Sequence, residues 1–473
     1  MTRLLVLGGD AAGMTAASHV RRAAPQVDVV VVERSRHTSN SMCGIPYYVG
    51  AQIEDSEELV VRTPEEFRAQ GMTVHTRTEA VAIDAATRRV RVRDLRSGEE
   101  RDEPYDLLLY AVGAEVVPPP VPGIEEYGHV VHTLDQGEHL RAHLDAQDAE
   151  RARGEDVAGD RHVVVVGAGY IGIEIAEALV RRGFESTIVD RSEQVLGALD
   201  PDMAAVVQRR MEDFGIRVRL GEELREVRPL PGPGGGAAVV CARGVYETEV
   251  LVVATGARPA VRMAADAGCA VGASRALVVD DRMRTTVDGI WAAGDCVESR
   301  HLVSGRPVNV QLGTHANKQG KVAGIDIVAA VRGSGRGDAA FPGVVGTAVT
   351  KLCEWEIART GLGAREAAEA GIDAVAVAFT TTAAAGYMPD PGEVHVKVLA
   401  ERGTGRFLGA QLVGTGNVGK RIDVAATWCQ LGVTVQQAQF LDLSYAPPFG
   451  SVWDLLQLGA RKLAAQVGVS PVL

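Results

Sequence analysis

The sequence predicts an α/β fold with two similar strand–helix–strand units, followed by a separate C-terminal α+β domain. The first observation is an apolar strand at residues 3–7 that runs into a glycine-rich turn and an alanine-rich helix. The second is the same order of strand, glycine turn and helix at residues 162–182. Each unit then continues into a second apolar strand that ends in an acidic residue. This order is typical of Rossmann-like, dinucleotide-binding units.

The acidic residues stand at the spacing that such units use. Glu33 follows Gly8 by 25 residues, and Asp190 follows Gly167 by 23, where about 20 is usual. In this pattern one glycine allows a tight turn, a second lets the backbone approach a pyrophosphate, and a third lets the helix pack on the strand. The acid accepts hydrogen bonds from a ribose. We therefore expect two dinucleotide sites.

The first turn departs from the pattern because Asp10 occupies the position of the second glycine. A carboxylate beside a pyrophosphate is unfavourable, so we expect Asp10 to turn away or to accept a hydrogen bond from a backbone amide. Two later strands end in Gly113 and Gly256, and another ends in Gly294-Asp295. Ligands of α/β folds bind at such carboxyl edges.

Proline, glycine and charge mark the domain boundaries. Residues 231–236 are rich in proline and glycine and predict a hairpin tip, and the charged segment 146–161 predicts a loop or a frayed helix end. The predicted parts are a first nucleotide-binding domain over 1–120, a second over 121–276, the remainder of the first over 277–335, and a C-terminal domain over 339–473.

Composition limits the class of protein. The chain has 473 residues, of which 46% are hydrophobic and 23% are charged, and a net charge of −12. These values indicate a globular protein and argue against a broad nucleic-acid surface. No apolar run approaches the length of a membrane helix. The N-terminus leads directly into the first strand without a secretion signal, so we expect a cytoplasmic protein and no membrane partner.

Six cysteines lack the spacing of a zinc site, a disulfide framework or a dithiol pair, so no metal site is predicted. Cys43 alone has a distinctive context, because it precedes Gly44-Ile45-Pro46, where proline favours the start of a helix. A thiol at a helix N-terminus has a lowered pKa and is more nucleophilic. We therefore expect a redox role for Cys43. The other cysteines are expected to be packing residues: Cys241, Cys269, Cys296, Cys353 and Cys429.

Together these motifs resemble the flavin-dependent pyridine nucleotide-disulfide oxidoreductases over nearly the whole chain. The segment 39–48 around Cys43 is similar to the single-cysteine motif of coenzyme A-disulfide reductases and NADH oxidases. Segments 310–320 and 444–449 resemble other motifs of that branch. Glutathione-reductase-like relatives are disfavoured, because the second cysteine is missing and the first lysine is Lys318. The resemblance nevertheless implies a fold like that of glutathione reductase.

The resemblance implies FAD in the first unit and NAD(P)H in the second. The residues expected to bind FAD are Gly8, Gly9, Ala12, Gly13, Glu33, Arg34, Ser41, Gly113, Gly294, Asp295 and Ala316. Those expected to bind NAD(P)H are Gly167, Gly169, Tyr170, Ile171, Gly172, Glu174, Asp190 and Gly256. Asp190 would repel a 2′-phosphate, which favours NADH, while the neighbouring Arg191 leaves NADPH open.

The resemblance also implies a homodimer, in which Tyr387 and Tyr445 reach the active cysteine of the partner subunit. Both tyrosines are therefore expected to be catalytic together with Cys43. The resemblance further implies coenzyme A as the substrate or bound ligand, and arginine side chains suit bidentate contact with its phosphates. Its expected contacts are Ser39, Arg21, Arg22 and Arg62, although the arginines are equally consistent with a solvated surface.

The implied activity passes electrons from NAD(P)H through FAD to Cys43, and then to the disulfide or persulfide of a small thiol. One alternative is an NADH oxidase that reduces oxygen through a cysteine sulfenic acid, and another is a polysulfide reductase. A third, of a different class, is a non-catalytic flavoprotein or redox sensor.

Overall fold

The computed structural model describes residues 1–153, 161–230 and 236–468. Its first part begins with the predicted strand–helix–strand unit and continues through a three-stranded antiparallel insertion. The elements are β1 (Arg3–Leu7), α1 (Ala11–Ala23), β2 (Asp28–Val32), α2 (Ile45–Val49), α3 (Pro64–Ala69), β3 (Thr73–His75), β4 (Thr78–Asp84), β5 (Arg89–Asp94), β6 (Glu100–Pro104), β7 (Leu107–Tyr110) and β8 (Ala114–Val116).

The second part repeats the unit and carries its own antiparallel insertion. Its elements are α4 (Ile124–Tyr127), β9 (Gly128–Val130), α5 (Leu134–Ala152), β10 (His162–Val166), α6 (Tyr170–Arg181), β11 (Glu185–Asp190), α7 (Pro201–Asp213), β12 (Ile216–Leu220), β13 (Leu224–Pro229), β14 (Ala237–Cys241), β15 (Val245–Thr248), β16 (Val250–Val253), β17 (Ala257–Pro259) and α8 (Arg262–Asp266). The predicted hairpin tip connects β13 and β14, but 231–235 lie outside the described residues.

The chain then returns to its first sheet through four elements: β18 (Ile290–Ala292), β19 (Ser299–Arg300), β20 (Pro307–Val308) and α9 (Gly313–Val331). Strand β18 pairs with β7, which gives the parallel order β18-β7-β1-β2-β3. The second unit forms another parallel sheet of order β12-β11-β10-β16-β9. Both central strands are apolar because both faces of each sheet are covered: helices pack on one face and the antiparallel insertion packs on the other. The exact domain boundaries remain predictions.

The C-terminal domain is a five-stranded antiparallel sheet of order β21-β22-β25-β24-β23 with helices packed on it. Its elements are β21 (Ala348–Leu352), β22 (Trp355–Gly361), α10 (Ala364–Glu369), β23 (Ala374–Thr382), β24 (Glu393–Glu401), β25 (Phe407–Gly414), α11 (Val418–Leu431), α12 (Val435–Ala438) and α13 (Leu455–Ala464). The predicted fold class is confirmed: two dinucleotide-binding units and an α+β C-terminal domain.

Two further predictions concern the charged segment before the second unit and the absence of a membrane helix. The charged segment 146–161 continues α5 as far as Ala152, whereas 154–160 lie outside the described residues. Across the described part of the chain, no helix combines the length and the apolar character that a membrane crossing requires.

Candidate active site

The first glycine turn is built without room for side chains. Gly8 has a φ of +99°, and a Cβ there would lie 2.2 Å from the carbonyl oxygen of Ala111. A Cβ on Gly13 would lie 1.9 Å from the carbonyl oxygen of Gly8, so α1 approaches the end of β1 as closely as backbones allow. The amide of Gly9 donates to Oε2 of Glu33 at 2.6 Å. The turn and the acid are thus held together at the helix N-terminus.

The second turn has the same construction. Gly167 has a φ of +115°, and a Cβ on Gly172 would lie 2.0 Å from the carbonyl oxygen of Gly167. The amide of Ala168 donates to Oδ2 of Asp190 at 2.7 Å, which matches the bond between Gly9 and Glu33. Two sequence-distant acids therefore hold two equivalent turns.

Asp10 accepts a hydrogen bond from a backbone amide, which is one of the two arrangements that the sequence predicts. Its Oδ1 accepts a hydrogen bond from the amide of Asn40 at 3.0 Å. Burial raises the pKa of Asp10 to about 7, and the charges of Glu33 and Asp295 add to the shift. The carboxyl group is therefore largely neutral in mildly acidic solution, which reduces its conflict with a phosphate.

Gly294 and Asp295 are fixed by amide side chains. The amide of Gly294 donates to Oε1 of Gln319 at 2.8 Å, and Nδ2 of Asn309 donates to the carbonyl oxygen of Asp295 at 2.8 Å. Burial raises the pKa of Asp295 to about 6. Asn309 was not predicted, because an asparagine after a short strand carries no recognisable motif.

Helix α9 packs directly on α1 beside this turn. A Cβ on Gly320 would lie 2.3 Å from the carbonyl oxygen of Ala12, and Ala316 is buried one turn earlier. Small residues on both helices allow the contact. The predicted residues Ala12 and Ala316 therefore meet Gly294 and Asp295 at the carboxyl edge of the first sheet.

Cys43 differs from the other five cysteines in its exposure. All six are free thiols; Cys43 is exposed and Cys353 is half-buried, whereas the remaining four are buried. Cys43 lies in a single 3₁₀ turn, Met42–Gly44, directly before α2. The thiol is thus accessible on a turn that the following helix anchors.

The sequence predicts a lowered pKa for Cys43, and this prediction is wrong: the groups of the protein raise the pKa of the thiol. Partial burial of the thiol raises the pKa of Cys43, and three carboxylates raise it further. Helix α2 has five residues, so its dipole is weak. The carboxylates belong to Glu174, Asp295 and Asp10, which places Cys43 between the second nucleotide unit and the first.

Contacts of α2 explain this position. A Cβ on Gly50 would lie 2.7 Å from Cβ of Ala178, so the end of α2 rests on α6. A Cβ on Gly137 would lie 2.6 Å from Cγ2 of Ile45, so the start of α2 rests on α5. Both supports belong to the second unit, and they hold the thiol beside it.

Two residues that the sequence did not reveal join α6 to the C-terminal domain. The hydroxyl of Thr350 donates to Oε1 of Glu174 at 2.6 Å, and Nζ of Lys351 pairs with Oε1 of Glu177 at 3.1 Å. Burial raises the pKa of Glu174. Lys351 also lies 5.3 Å from the ring centroid of Tyr47, two residues before the end of α2.

Tyr387 and Tyr445 come together on the surface of the C-terminal domain. Their side chains are 74% and 46% exposed, and a hydrogen bond between them raises the pKa of Tyr387. Among the described residues of one chain, no hydrogen bond joins either tyrosine to Cys43. Their exposure is the property that contact with a second subunit requires.

The residues expected to contact substrate differ in their availability. The Arg21 guanidinium donates to the carbonyl oxygens of Gln70 and Pro25, at 2.9 and 2.6 Å, so it is already engaged in local structure. Arg22 is exposed on α1. The Arg62 guanidinium lies 5.2 Å from the ring centroid of Phe67.

The remaining predicted positions are at or near the open edges of the two sheets. Ser39 adopts a positive φ of 49° and donates its amide to the carbonyl oxygen of Gly9 at 2.9 Å. The amide of Ser41 donates to the carbonyl oxygen of Leu59, and Arg34 is exposed. A Cβ would meet nothing within 4 Å at three predicted glycines: Gly113, Gly169 and Gly256. Tyr170 is half-buried and Ile171 is 38% exposed.

These features fit two dinucleotides. Each parallel sheet ends in a glycine turn that has no room for a Cβ. In each turn a backbone amide donates to the acidic side chain, and the space beside the turn is open. In the first site Oδ1 of Asn40, whose amide donates to Asp10, is buried without a hydrogen-bond partner. Unsatisfied buried polar atoms of this kind are expected where a ligand completes the hydrogen bonds.

Comparison with protein families agrees with this geometry. Residues 2–320 match the family model described as pyridine nucleotide-disulphide oxidoreductase, and residues 347–456 match the dimerisation domain of the same family. The second match supports the predicted homodimer. FAD and NAD(P)H are the cofactors that the family implies.

Individual relatives cover almost the whole chain. An NAD(P)H coenzyme A polysulfide/persulfide reductase of Pyrococcus horikoshii is 35% identical over 98% of both chains. An NADH oxidase of Methanocaldococcus jannaschii is 32% identical, over 97% of this chain and 98% of the relative. The solved structure of an NAD-dependent persulfide reductase from A. fulgidus has a TM-score of 0.90 and 34% identity, with 98% of this chain and 83% of the other covered. The chain belongs to the pyridine nucleotide-disulphide oxidoreductase family and is an FAD-dependent NAD(P)H oxidoreductase.

Proposed function

We propose that this protein reduces the disulfide or persulfide of a small thiol, with coenzyme A as the favoured thiol, and that Cys43 attacks the substrate sulfur. The observation that carries the proposal is the exposed Cys43 thiol, which lies within the electrostatic influence of both nucleotide units. The names of the P. horikoshii and A. fulgidus relatives support a sulfur substrate. Coenzyme A itself rests on the first of these names and on the sequence resemblance.

The thiol reaction balances in two steps. The Cys43 thiolate forms a bond to one sulfur of a disulfide RSSR, and the other sulfur leaves as RS⁻. Two electrons and a proton then cleave the mixed disulfide, which restores the Cys43 thiolate and releases RSH. With a persulfide RSSH, attack on the outer sulfur releases RS⁻, and the same reduction releases hydrosulfide. FAD, when bound, supplies the transfer of these electrons from NAD(P)H.

The residues of the chain position the reactants. Gly8, Gly13 and Glu33 would hold FAD at the first turn, and Gly167 with Asp190 would hold NAD(P)H at the second. Arg22 and Arg62 are the better-placed arginines for the phosphates of coenzyme A, because Arg21 is engaged by main-chain carbonyls. The partner subunit's Tyr387 and Tyr445 would donate a proton to the leaving thiolate.

The NADH oxidase remains the second candidate, because the M. jannaschii relative bears that name and an exposed thiol can also form a sulfenic acid. NADH oxidation should be measured without oxygen in the presence of coenzyme A disulfide or coenzyme A persulfide, and separately with oxygen alone. We expect the best sulfur substrate to exceed oxygen in kcat/KM by at least about tenfold, or 1.4 kcal/mol. A kcat/KM for oxygen that equals or exceeds the value for both sulfur substrates would overturn the proposal.

A further inference from the structure

The loop 191–200 joins β11 to α7 and passes beside the second glycine turn. The amide of Ser192 donates to Oδ1 of Asp190 at 2.7 Å, and the amide of Leu196 donates to the carbonyl oxygen of Ala168 at 2.9 Å. Leu196 adopts a positive φ of 44°, which a branched side chain rarely does unless the surrounding structure imposes it. The loop therefore contacts both the turn and its acid, and its conformation depends on contacts from outside.

The far end of this loop is held by the C-terminal domain. Oε1 of Gln411, on β25, accepts a hydrogen bond from the amide of Asp200 at 2.8 Å. The Asp200 carboxylate accepts one from the amide of Ala364 at 2.9 Å and pairs with Nζ of Lys397 at 2.9 Å. Asp200 and Gln411 are 4% and 1% exposed. Breaking such buried bonds is costly, because the polar atoms would be left without a partner.

Arg359, on β22, makes the central contact between the C-terminal domain and the loop. Its Nη1 donates to the carbonyl oxygen of Ala198 at 2.7 Å, and its Nη2 donates to the carbonyl oxygen of Gly361 at 2.7 Å. The same two nitrogens donate to the Glu366 carboxylate at 3.1 and 2.6 Å. The planar fork of a guanidinium is what allows one side chain to serve three acceptor groups in fixed directions. Arg359 therefore fixes the loop from within the C-terminal domain.

The Arg359–Glu366 pair also acts on the start of α6. Tyr170, which is expected to contact NAD(P)H, is the first residue of that helix and follows the second turn directly. Burial raises the pKa of Tyr170, and the charges of Arg359 and Glu366 both act on its hydroxyl. The pair is thus in direct contact with the loop and within electrostatic reach of Tyr170.

We propose that Arg359, held by Glu366, is a positioning residue for NAD(P)H: it keeps the loop 191–200, and through Leu196 the second turn, in the arrangement that binds the nucleotide. This inference rests on the proposed NAD(P)H site at that turn. The C-terminal domain would then shape the nucleotide site of its own subunit, in addition to serving the partner's cysteine. Loss of the contact should weaken nucleotide binding and leave the limiting rate of flavin reduction nearly unchanged.

The test is stopped-flow reduction of the flavin-loaded protein by NADH without oxygen, which reads nucleotide binding without any sulfur substrate. The rate at which flavin absorbance is lost, measured against NADH concentration, gives an apparent Kd and a limiting rate. Arg359→Lys keeps the charge, but a single ammonium cannot reproduce the fork that joins Ala198 to Glu366. We expect the Kd to rise at least about tenfold, while the limiting rate changes by less than about twofold.

Arg406→Lys is the matched control. Directly before β25, Arg406 donates through Nε to Glu401 at 3.3 Å and through Nη1 to the carbonyl oxygen of Val303 at 3.1 Å. It therefore resembles Arg359 in its partners but does not contact the loop. A lower Tm is expected in both variants, whereas only Arg359→Lys should raise the Kd. Amide hydrogen exchange in peptides that cover 191–200 should likewise become faster only in Arg359→Lys.

Two more variants make the outcome decisive. Gln411→Leu removes the acceptor of the Asp200 amide without removing a charge and should raise the Kd at least about threefold; an unchanged Kd there decides against the inference if Arg359→Lys does not fold. Gly172→Val fills the space beside the carbonyl oxygen of Gly167 and should abolish flavin reduction by NADH. An unchanged Kd in Arg359→Lys, together with that loss, would overturn this inference and leave the proposed site standing. An unchanged Kd in Gly172→Val would overturn both.

Discussion

The hydroxyl of Thr350 donates a hydrogen bond of 2.6 Å to Oε1 of Glu174, which ties the first strand of the C-terminal domain to α6. Glu174 in turn raises the pKa of the Cys43 thiol. One carboxylate therefore contacts the C-terminal domain, belongs to the second nucleotide unit and acts on the exposed cysteine. A change at Glu174 should be detectable at the thiol.

We predict that Glu174→Gln lowers the pKa of Cys43, because the substitution removes a negative charge that disfavours the thiolate. At pH 8 the rate of Cys43 alkylation by iodoacetamide should rise about two- to threefold, because a lower pKa gives more thiolate at that pH. The measurement is the alkylation rate against pH, read by mass spectrometry of the Cys43 peptide. Glu247→Gln, an exposed change on β15, should leave the profile unchanged. A profile shifted to higher pH in Glu174→Gln would contradict the prediction.

FAD binding should weaken as the pH rises through 7. Asp10, whose pKa burial raises to about 7, is neutral below that pH and ionised above it, and its charge then opposes the pyrophosphate. Between pH 6 and pH 8.5 we expect the affinity of the flavin-free protein for FAD to fall about tenfold. Asp10→Asn should remove most of this dependence, as followed by quenching of flavin fluorescence. An equally steep dependence in the variant would show that another group is responsible.

Asp190 should determine the choice of nucleotide. Its oxygens accept from the amides of Ala168 and Ser192, both at 2.7 Å, which fixes the carboxylate at the end of β11. We expect the unaltered protein to prefer NADH, and Asp190→Ser to raise the ratio of kcat/KM for NADPH over NADH at least about tenfold. The exposed Arg191 could then pair with the 2′-phosphate without the nearby carboxylate repelling it. Asp213→Ser at the end of α7 is the matched control, and an unchanged ratio in Asp190→Ser would refute the assignment.

The two glycine turns of the site could be predicted from the sequence, because each is a short motif of neighbouring residues. The turns at Gly8 and Gly167 follow from steric rules that act over a few residues, and their acids stand at the fixed spacing of the motif. That Asp10 accepts a hydrogen bond from a backbone amide could also be predicted, but its donor Asn40 lies 30 residues further along the chain. The bond between Thr350 and Glu174 could not be predicted, since it joins residues 176 positions apart through packing of two domains.

The pKa of Cys43 shows a different limit. The local sequence around Cys43 reveals only the helix that follows the thiol, and this helix is too short to lower the pKa strongly. The burial and the three carboxylates that raise the pKa of Cys43 come from three distant segments of the chain.

If Tyr387 and Tyr445 of one subunit complete the active site around Cys43 of the other, two inactive variants should complement each other in a mixed dimer. Cys43→Ser and Tyr445→Phe each damage both sites of their own homodimer. If Tyr445 serves the partner's cysteine, a mixed dimer contains one site with both residues intact. Mixing under conditions of subunit exchange should therefore raise disulfide reductase activity above that of either parent. A failure of recovery despite demonstrated exchange would contradict the hypothesis.

The most direct test of the account is the reductase activity of Cys43→Ser, compared with Cys353→Ser as the matched cysteine control. The account predicts that Cys43→Ser retains FAD and that NADH still bleaches the flavin absorbance in the absence of oxygen. The variant should lose at least about 99% of its turnover with coenzyme A disulfide or persulfide. Cys353→Ser should keep near-normal turnover. Substantial disulfide or persulfide reduction by Cys43→Ser would contradict the claim that this thiol carries the reaction.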